Sequence, residues 1–380
     1  MLNLARSFIL LQIFLWAELC GNIGLAIAGP QVFILHYPIQ PDSLQPVTYT
    51  ATASDSSGIK SIAISVQHRE LQLDKKGQTI SVLVEETLET HSYNPPFAQS
   101  ETFTVTNPAG YPDNSHIGYK ATVTSGAGET GTDGYIYFAA GTFPSTNDPI
   151  PIYVHEGDTA AKIDLVFIPD EDYGHTNWEQ NFMNDVTDLI QNAFFSDKPF
   201  ARMIRNRHEM WNFYITYYQG DAASCISRSL PINWATLAAT VNSGFIVHKE
   251  VFNDCSGIGE GSTFSAEPID LNNERSQTVP IHEIGHSVFS LADEYSGGYF
   301  FESPLPSNNV FKDYGTCTNN SAAHGWPEKD CKKIRRSNWY RSDGNNDIME
   351  DTSSTDNAPG RSDEKRIEWH YGQCTNNQNC

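Results

Sequence analysis

Two different hydrophobic rhythms divide this chain, and each admits a different kind of fold. Between Val47 and Phe138 apolar and polar residues alternate in short runs. Val47-Thr48-Tyr49-Thr50-Ala51-Thr52-Ala53 leads through Asp55-Ser56-Ser57-Gly58 into Ile59-Lys60-Ser61-Ile62-Ala63-Ile64-Ser65-Val66. Further runs follow at 99–105, 119–124 and 135–138. A period of two puts successive side chains on opposite faces, which suits a strand with one buried face and excludes an amphipathic helix. Short alternating strands separated by Gly, Asn, Asp and Pro turns predict a β-sandwich over 29–148, of immunoglobulin-like or fibronectin-like type. No cysteine or tryptophan falls in that region, so the antibody-type Cys…Trp…Cys framework is not expected.

A Pro-rich stretch at 141–152, with Pro144, Pro149 and Pro151, reads as a linker. Beyond it the pattern changes. An apolar strand is predicted at 163–170, and a helix at 177–195 with Phe182, Val186, Leu189, Ile190 and Phe194 on one face. Strands at 211–218 and 244–252, a helix at 232–241 and a Gly/Ser/Asn-rich loop at 253–277 complete an α/β (α+β) domain over 149–380. Its last part, 300–380, reads as loop-rich and carries four cysteines.

The first 28 residues look like an export signal. Arg6 precedes an apolar run at 7–17 that is too short to span a bilayer, and Ala26-Ile27-Ala28 offers a cleavage site. The expected location is therefore secreted or periplasmic, with no stable membrane insertion after cleavage. Removal of Cys20 leaves six cysteines, an even number that suits disulfides. Proximity favours Cys225–Cys255, Cys317–Cys331 and Cys374–Cys380. The net charge of −22 argues against nucleic acid as a partner and leaves the oligomeric state open.

The residues that carry chemistry lie in His282-Glu283-Ile284-Gly285-His286-Ser287-Val288-Phe289-Ser290-Leu291-Ala292-Asp293-Glu294-Tyr295. Two histidines four apart share one face of a helix and can reach a single Zn2+, while Glu283 sits one position round as a general base. Pro280 fits the first turn of that helix, which is expected to run to about Leu291. A catalytic zinc takes three protein ligands and one water. In the metzincin spacing the third ligand is the sixth residue after the second histidine, and here that residue is Ala292. Asp293 is the favoured third ligand, with Glu294 the alternative; His324, His370 and Glu302 are further candidates. Met349, in Asp347-Ile348-Met349-Glu350-Asp351, sits at a plausible distance for the methionine turn that underlies such zinc sites. Tyr295, Tyr299 and Tyr314 are candidate oxyanion donors.

His-Glu-x-Gly-His followed by Leu291-Ala292-Asp293-Glu294-Tyr295 resembles peptidase family M64, the IgA-peptidase-like zinc metallopeptidases of bacteria. The likeness covers roughly 150–380, and the upstream sandwich is similar to accessory domains found in that family. It implies a metzincin-like fold and zinc endopeptidase activity on a protein or peptide substrate, with His282, Glu283 and His286 at the matching positions. Family members commonly carry Gly where this chain has Phe289 and Ser290. The alternative is a non-catalytic binding or adhesion protein with a degenerate metal domain, motivated by the missing third histidine. A zinc amidase acting on cell-wall peptide is a third reading.

Overall fold

The computed structural model describes residues 29–73, 79–141, 148–157, 161–174, 176–224, 227–249, 257–260, 263–266, 270, 272–303, 306–342 and 347–376. The predicted signal segment lies outside these residues. Among the described residues no helix is long and apolar enough to cross a membrane.

The chain is mostly β-sheet, in several sheets. The first part contains β1 (Gln31–Tyr37), β2 (Val47–Ser54), β3 (Ile59–Leu73), β4 (Thr79–Ser92), β5 (Ser100–Asn107), β6 (Ser115–Ser125), β7 (Thr130–Thr132) and β8 (Ile136–Ala140). Strands β1, β2 and β5 form a three-stranded antiparallel sheet. Burial alternates strictly along β2, as the period of two requires. The inward residues Ile34, Tyr49 and Ala51 are fully buried, as are Ile62, Ile64, Tyr119 and Phe138 of the other sheet. Tyr49 meets Tyr119 at 5.3 Å between ring centroids, so the two sheets share one core. His36 lies in that core, stacked on Phe138 at 3.9 Å, and burial pushes its pKa down to about 3, so it is a neutral packing residue.

The second sheet does not stop where the alternating region ends. It has eleven strands: ten run β4-β3-β6-β8 and then on through β9 (Ile150–His155), β11 (Trp211–Ile215), β10 (Ile163–Pro169), β14 (Ser243–Val247), β16 (Thr263–Ala266) and β15 (Gly257–Glu260), and β7 pairs with β6 beside that path. Between these in sequence, β12 (Asp221–Ser224) and β13 (Ser227–Ser229) pair with each other. The far end of the expected linker is therefore a strand: β9 pairs with β8 on one side and β11 on the other. Pro151 is tolerated there because it lies opposite Tyr214, where the register shifts beside Phe213. Residues 142–147 of that stretch lie outside the described residues.

From β11 to β16 the strands are parallel, and β15 adds an antiparallel edge. Strand β10 is buried along its whole length because both faces are covered. On one side lies helix α1 (Trp178–Asp188), which passes into a π-turn at Leu189–Phe194. Its predicted face is the observed one: Phe182, Val186, Leu189, Ile190 and Phe194 are all fully buried. On the other side Val166, Ile168 and Ile246 pack with Leu237 and Val241 in a smaller cluster. Only Trp234–Leu237 of the expected 232–241 helix is α-helical.

Three further helices follow: α2 (Glu274–Ser287), α3 (Tyr314–Ala323) and α4 (Arg361–Thr375). Helix α2 begins six residues before Pro280, so the proline is interior and not at the first turn. Asn273 caps the helix by accepting from the Arg275 N–H, a stronger start signal than the proline. The expected loop at 253–277 therefore contains β15, β16 and the first turn of α2. The 300–380 region is also more regular than its polarity implies. Helix α4 buries Ser362, Asp363, Arg366, Ile367, Tyr371 and Cys374, a face too polar to register as hydrophobic periodicity. Strands β17 (Val310–Phe311), β18 (Lys332–Lys333) and β19 (Tyr340–Arg341) form a small sheet beside α3. Cys317 and Cys331 are disulfide-bonded as expected. Cys374 is also disulfide-bonded, while Cys225, Cys255 and Cys380 lie outside the described residues.

One contiguous core runs from Val32 to Cys374. Phe138→Ala is therefore expected to cost about 3–5 kcal/mol and to lower the melting of the β10–β11 region along with that of the sandwich. Tryptophan fluorescence of the second region, where Trp211 is fully buried, checks this against a separate probe in the first.

Candidate metal centre

Helix α2 brings His282 and His286 one above the other, with Nε2 atoms 3.1 Å apart. Each ring is fixed from behind. His282 Nδ1 lies 2.8 Å from the Ile348 carbonyl, and His286 Nδ1 lies 2.8 Å from the Leu291 carbonyl. A carbonyl only accepts, so both Nδ1 atoms carry a hydrogen and both Nε2 atoms face the same point.

The helix ends at Ser287, four residues before the expected Leu291. The chain then widens and reverses. Phe289 N–H donates to the Ile284 carbonyl at 3.4 Å and Leu291 N–H donates to the Gly285 carbonyl at 2.9 Å. Ser290 takes φ +54°, the left-handed conformation that glycine adopts most easily. This reversal returns Asp293 to the histidines. Its Oδ1 lies 3.2 Å from both His282 Nε2 and His286 Nε2. Asp293 Oδ2 accepts the Tyr299 N–H at 2.6 Å, while Oδ1 faces the two rings.

His282 Nε2, His286 Nε2 and Asp293 Oδ1 thus form a triangle with edges of 3.1–3.2 Å. Tetrahedral ligands about 2.0–2.1 Å from a zinc ion stand about 3.3 Å from one another, so the spacing fits a small tetrahedral cation. The charge balance agrees. Burial pushes His286 down, but the Asp293 and Glu283 carboxylates outweigh it and bring its pKa up to about 9. Burial pushes Asp293 up, yet His282 and His286 beside it hold it well below the ordinary carboxylate range. Positive charge is favoured at the centre of the triangle.

Glu294 takes a different direction. Its Oε1 accepts from Asn309 Nδ2 at 3.1 Å and its Oε2 lies 3.8 Å from Arg341 Nη1. It sits in a buried acidic group with Asp347 and Asp363, away from the histidines. Asp170, Asp172 and His248 form another such group, with His248 Nδ1 2.6 Å from Asp170 Oδ2. Glu283 is buried, and its charge reaches both His286 and Tyr295. The Tyr295 ring lies 6.1 Å from the His282 ring, and burial together with the Asp293 and Glu283 charges raises its hydroxyl pKa.

Met349 lies beneath the helix, fully buried. A Cβ on Gly285 would stand 2.6 Å from its Sδ, so this helical glycine is what lets the sulfur approach between the histidines. The turn is tied by Asp347 Oδ1, which accepts the Met349 and Glu350 N–H groups at 2.9 and 3.0 Å. The Glu294 N–H donates to the Met349 carbonyl at 3.0 Å and links the turn to the returning segment.

The other candidates are not brought to the triangle. His324 stacks on Trp326, His370 packs edge-on to Phe289, and Glu302 pairs with Lys312. Tyr314 donates to Glu328, and the Tyr299 side chain is exposed although its backbone holds Asp293. Two residues that sequence reasoning missed matter more. Asn309 accepts the Ala292 N–H at 3.0 Å and donates to the Ala292 carbonyl at 2.7 Å, clamping the residue before Asp293. Gly298 packs so closely that a Cβ would stand 2.3 Å from Asp293 Cβ. Neither carries a local signal, since each acts through a contact made by folding.

No family model matches the chain, and no curated protein matches it. Similar solved structures include the sporulation control protein Spo0M from Bacillus subtilis, 10% identical over 31% of this chain and 51% of that one, with a TM-score of 0.22. A DUF4466 family protein from Parabacteroides merdae is 10% identical over 28% of this chain and 42% of that one, TM-score 0.19. A β-glucosidase from Listeria innocua is 11% identical over 30% and 16%, TM-score 0.20. The chain aligns with about half or less of each, and likeness at this level carries no argument about fold or function.

Proposed function

We propose that this chain is a zinc-dependent endopeptidase of metzincin-like type, akin to family M64, with Zn2+ held by His282, His286 and Asp293. The observation that carries this reading is the buried triangle of three acceptors, both rings tethered so that each presents a lone pair to the same point. Two nitrogens and one oxygen are a donor set that zinc takes readily. When bound, zinc would lower the pKa of a water to near 7 and polarise a carbonyl.

The metzincin pattern places a glycine three residues after the second histidine and its third ligand three residues later. Here the left-handed residue is Ser290, four after His286, and Asp293 follows three later. The distance from the turn to the third ligand is conserved, and one extra residue is taken up in the widened last turn of α2. That accounts for Ala292 at the expected ligand position. The parallel sheet with an antiparallel edge strand beside α2, and Met349 beneath it, support the same assignment.

The protein's own groups then have distinct tasks. Glu283, one step round the helix, takes the proton of the attacking water and returns it to the leaving amine. The Ile348 and Leu291 carbonyls hold the imidazole tautomers. Asn309 and Gly298 fix Asp293. Tyr295, its hydroxyl kept protonated, can donate to the carbonyl oxygen as negative charge develops.

Glu283→Gln is expected to lower chelator-sensitive cleavage of casein by roughly 10²–10⁴-fold while zinc content stays near one ion per chain. Unchanged cleavage would exclude Glu283 as the base. Zinc bound by a wild-type chain that cleaves no protein would favour the binding-protein alternative. A second test separates the adjacent carboxylates. Asp293→Ala is expected to lose zinc affinity by more than the roughly 10–100-fold expected of Asn309→Ala. Glu294→Gln is expected to retain zinc. Competition against a chromophoric chelator gives the ranking, and its reversal would make Glu294 the ligand.

A further inference from the structure

We propose that a cavity beside the metal triangle is a specificity subsite for an acidic side chain of the peptide substrate, an inference that rests on the peptidase reading. The cavity, of about 390 Å³, lies between Tyr295 and the segment Lys332–Arg335. Tyr295 borders His282, so the cavity opens next to the reacting centre.

Its charge is the reverse of the chain's. The protein has 24 Lys and Arg against 46 Asp and Glu, yet this wall carries four cations, Lys332, Lys333, Arg335 and Arg341, against the three carboxylates of Glu294, Glu350 and Asp351. Arg341 is shared by two of these acids, and the third is tied to its own loop. Arg341 pairs with Glu350 and lies 3.8 Å from Glu294, and Asp351 accepts from the Ser353 N–H at 2.8 Å. The cationic run extends beyond the wall. Residues 329–336 hold Lys329, Lys332, Lys333, Arg335 and Arg336 against a single acid, Asp330, which pairs with Arg361 at 2.6 Å.

A charge run is usually a mobile solvated face, but this one is pinned. Lys332 and Lys333 pair with Arg341 and Tyr340 as β18 on β19, and Cys331 is bonded to Cys317. Ile334 is buried, and its N–H donates to the Trp339 carbonyl at 2.9 Å. Lys332, Lys333 and Arg335 are nonetheless exposed at the surface. Cations carried on a pinned backbone at the edge of a small cavity favour a carboxylate that enters it and disfavour a cation there. A Glu or Asp flanking the scissile bond has that chemistry and that size.

The test uses two fluorogenic peptides that differ only in carrying Glu or Lys on both sides of the scissile bond. The zinc-loaded wild-type chain is expected to cleave the Glu peptide with about tenfold higher kcat/KM, a preference that shrinks with added salt. In Lys333→Glu/Arg335→Glu the preference should invert. Equal cleavage of both peptides by the wild type, or an equal loss on both in the variant, overturns the subsite while leaving the peptidase reading intact. Fluorescence anisotropy of the same peptides on zinc-loaded Glu283→Gln separates the two claims. A charge preference in binding without any wild-type cleavage supports the subsite and removes the peptidase reading. Binding of a heparin oligosaccharide with no preference between the peptides overturns the proposal in favour of a polysaccharide site.

Discussion

His282 Nε2, His286 Nε2 and Asp293 Oδ1 stand 3.1–3.2 Å apart, and that spacing depends on positive charge among them, as a proton on His286 or as a bound cation. Without it two imidazole lone pairs and a carboxylate oxygen repel, most strongly where water is excluded. Much of the C-terminal half of the chain can be understood as the scaffold that opposes it. The α-helical repeat sets the two rings. The Ile348 and Leu291 carbonyls keep them from turning away, and Asn309, Gly298 and the Tyr299 N–H keep the carboxylate from swinging out. Preorganisation of this kind suits a bound cation and would be wasteful in a site meant to stay empty.

The scaffold is anchored by the long sheet. Helix α2 lies beside β15 and β16, at the end of a sheet that continues through β9 into the sandwich. The aromatic core between Phe167, Phe194, Phe213 and Phe245 fixes the sheet from below, with neighbouring rings 5.4–6.3 Å apart. The position of the helix is thus set by apolar packing. The position of Asp293 is set by polar contacts on a segment with little regular structure. Helix α4 and the turn at 347–351 close the far side, and their buried faces are polar: Asp347, Asp363 and Arg366 are all within 2% of full burial.

That division explains what the sequence revealed. Alternation placed β2, β5 and β6 within a residue or a few, and the apolar run at 163–170 gave β10, because apolar periodicity and burial are the same signal there. The histidine pair and Glu283 were legible because helical spacing alone puts them on one face. Pro280 suits a first turn yet lies inside α2, whose start is marked only by the polar and brief cap at Asn273. Its end carries no mark in the sequence, because the left-handed conformation after it falls on Ser290 and not on the glycine that would advertise it. Helix α4 was hidden by its polar buried face. Asn309 had no local mark at all, since its role depends on a contact with Ala292 seventeen residues earlier.

The central claim is that His282, His286 and Asp293 bind one zinc ion. X-ray absorption on the zinc-loaded chain tests it most directly. The expected spectrum has two imidazole nitrogens at about 2.0–2.1 Å and carboxylate or water oxygen at about 2.0–2.2 Å, with no sulfur. A spectrum with sulfur near about 2.3 Å, or with fewer than two imidazoles, would contradict the account.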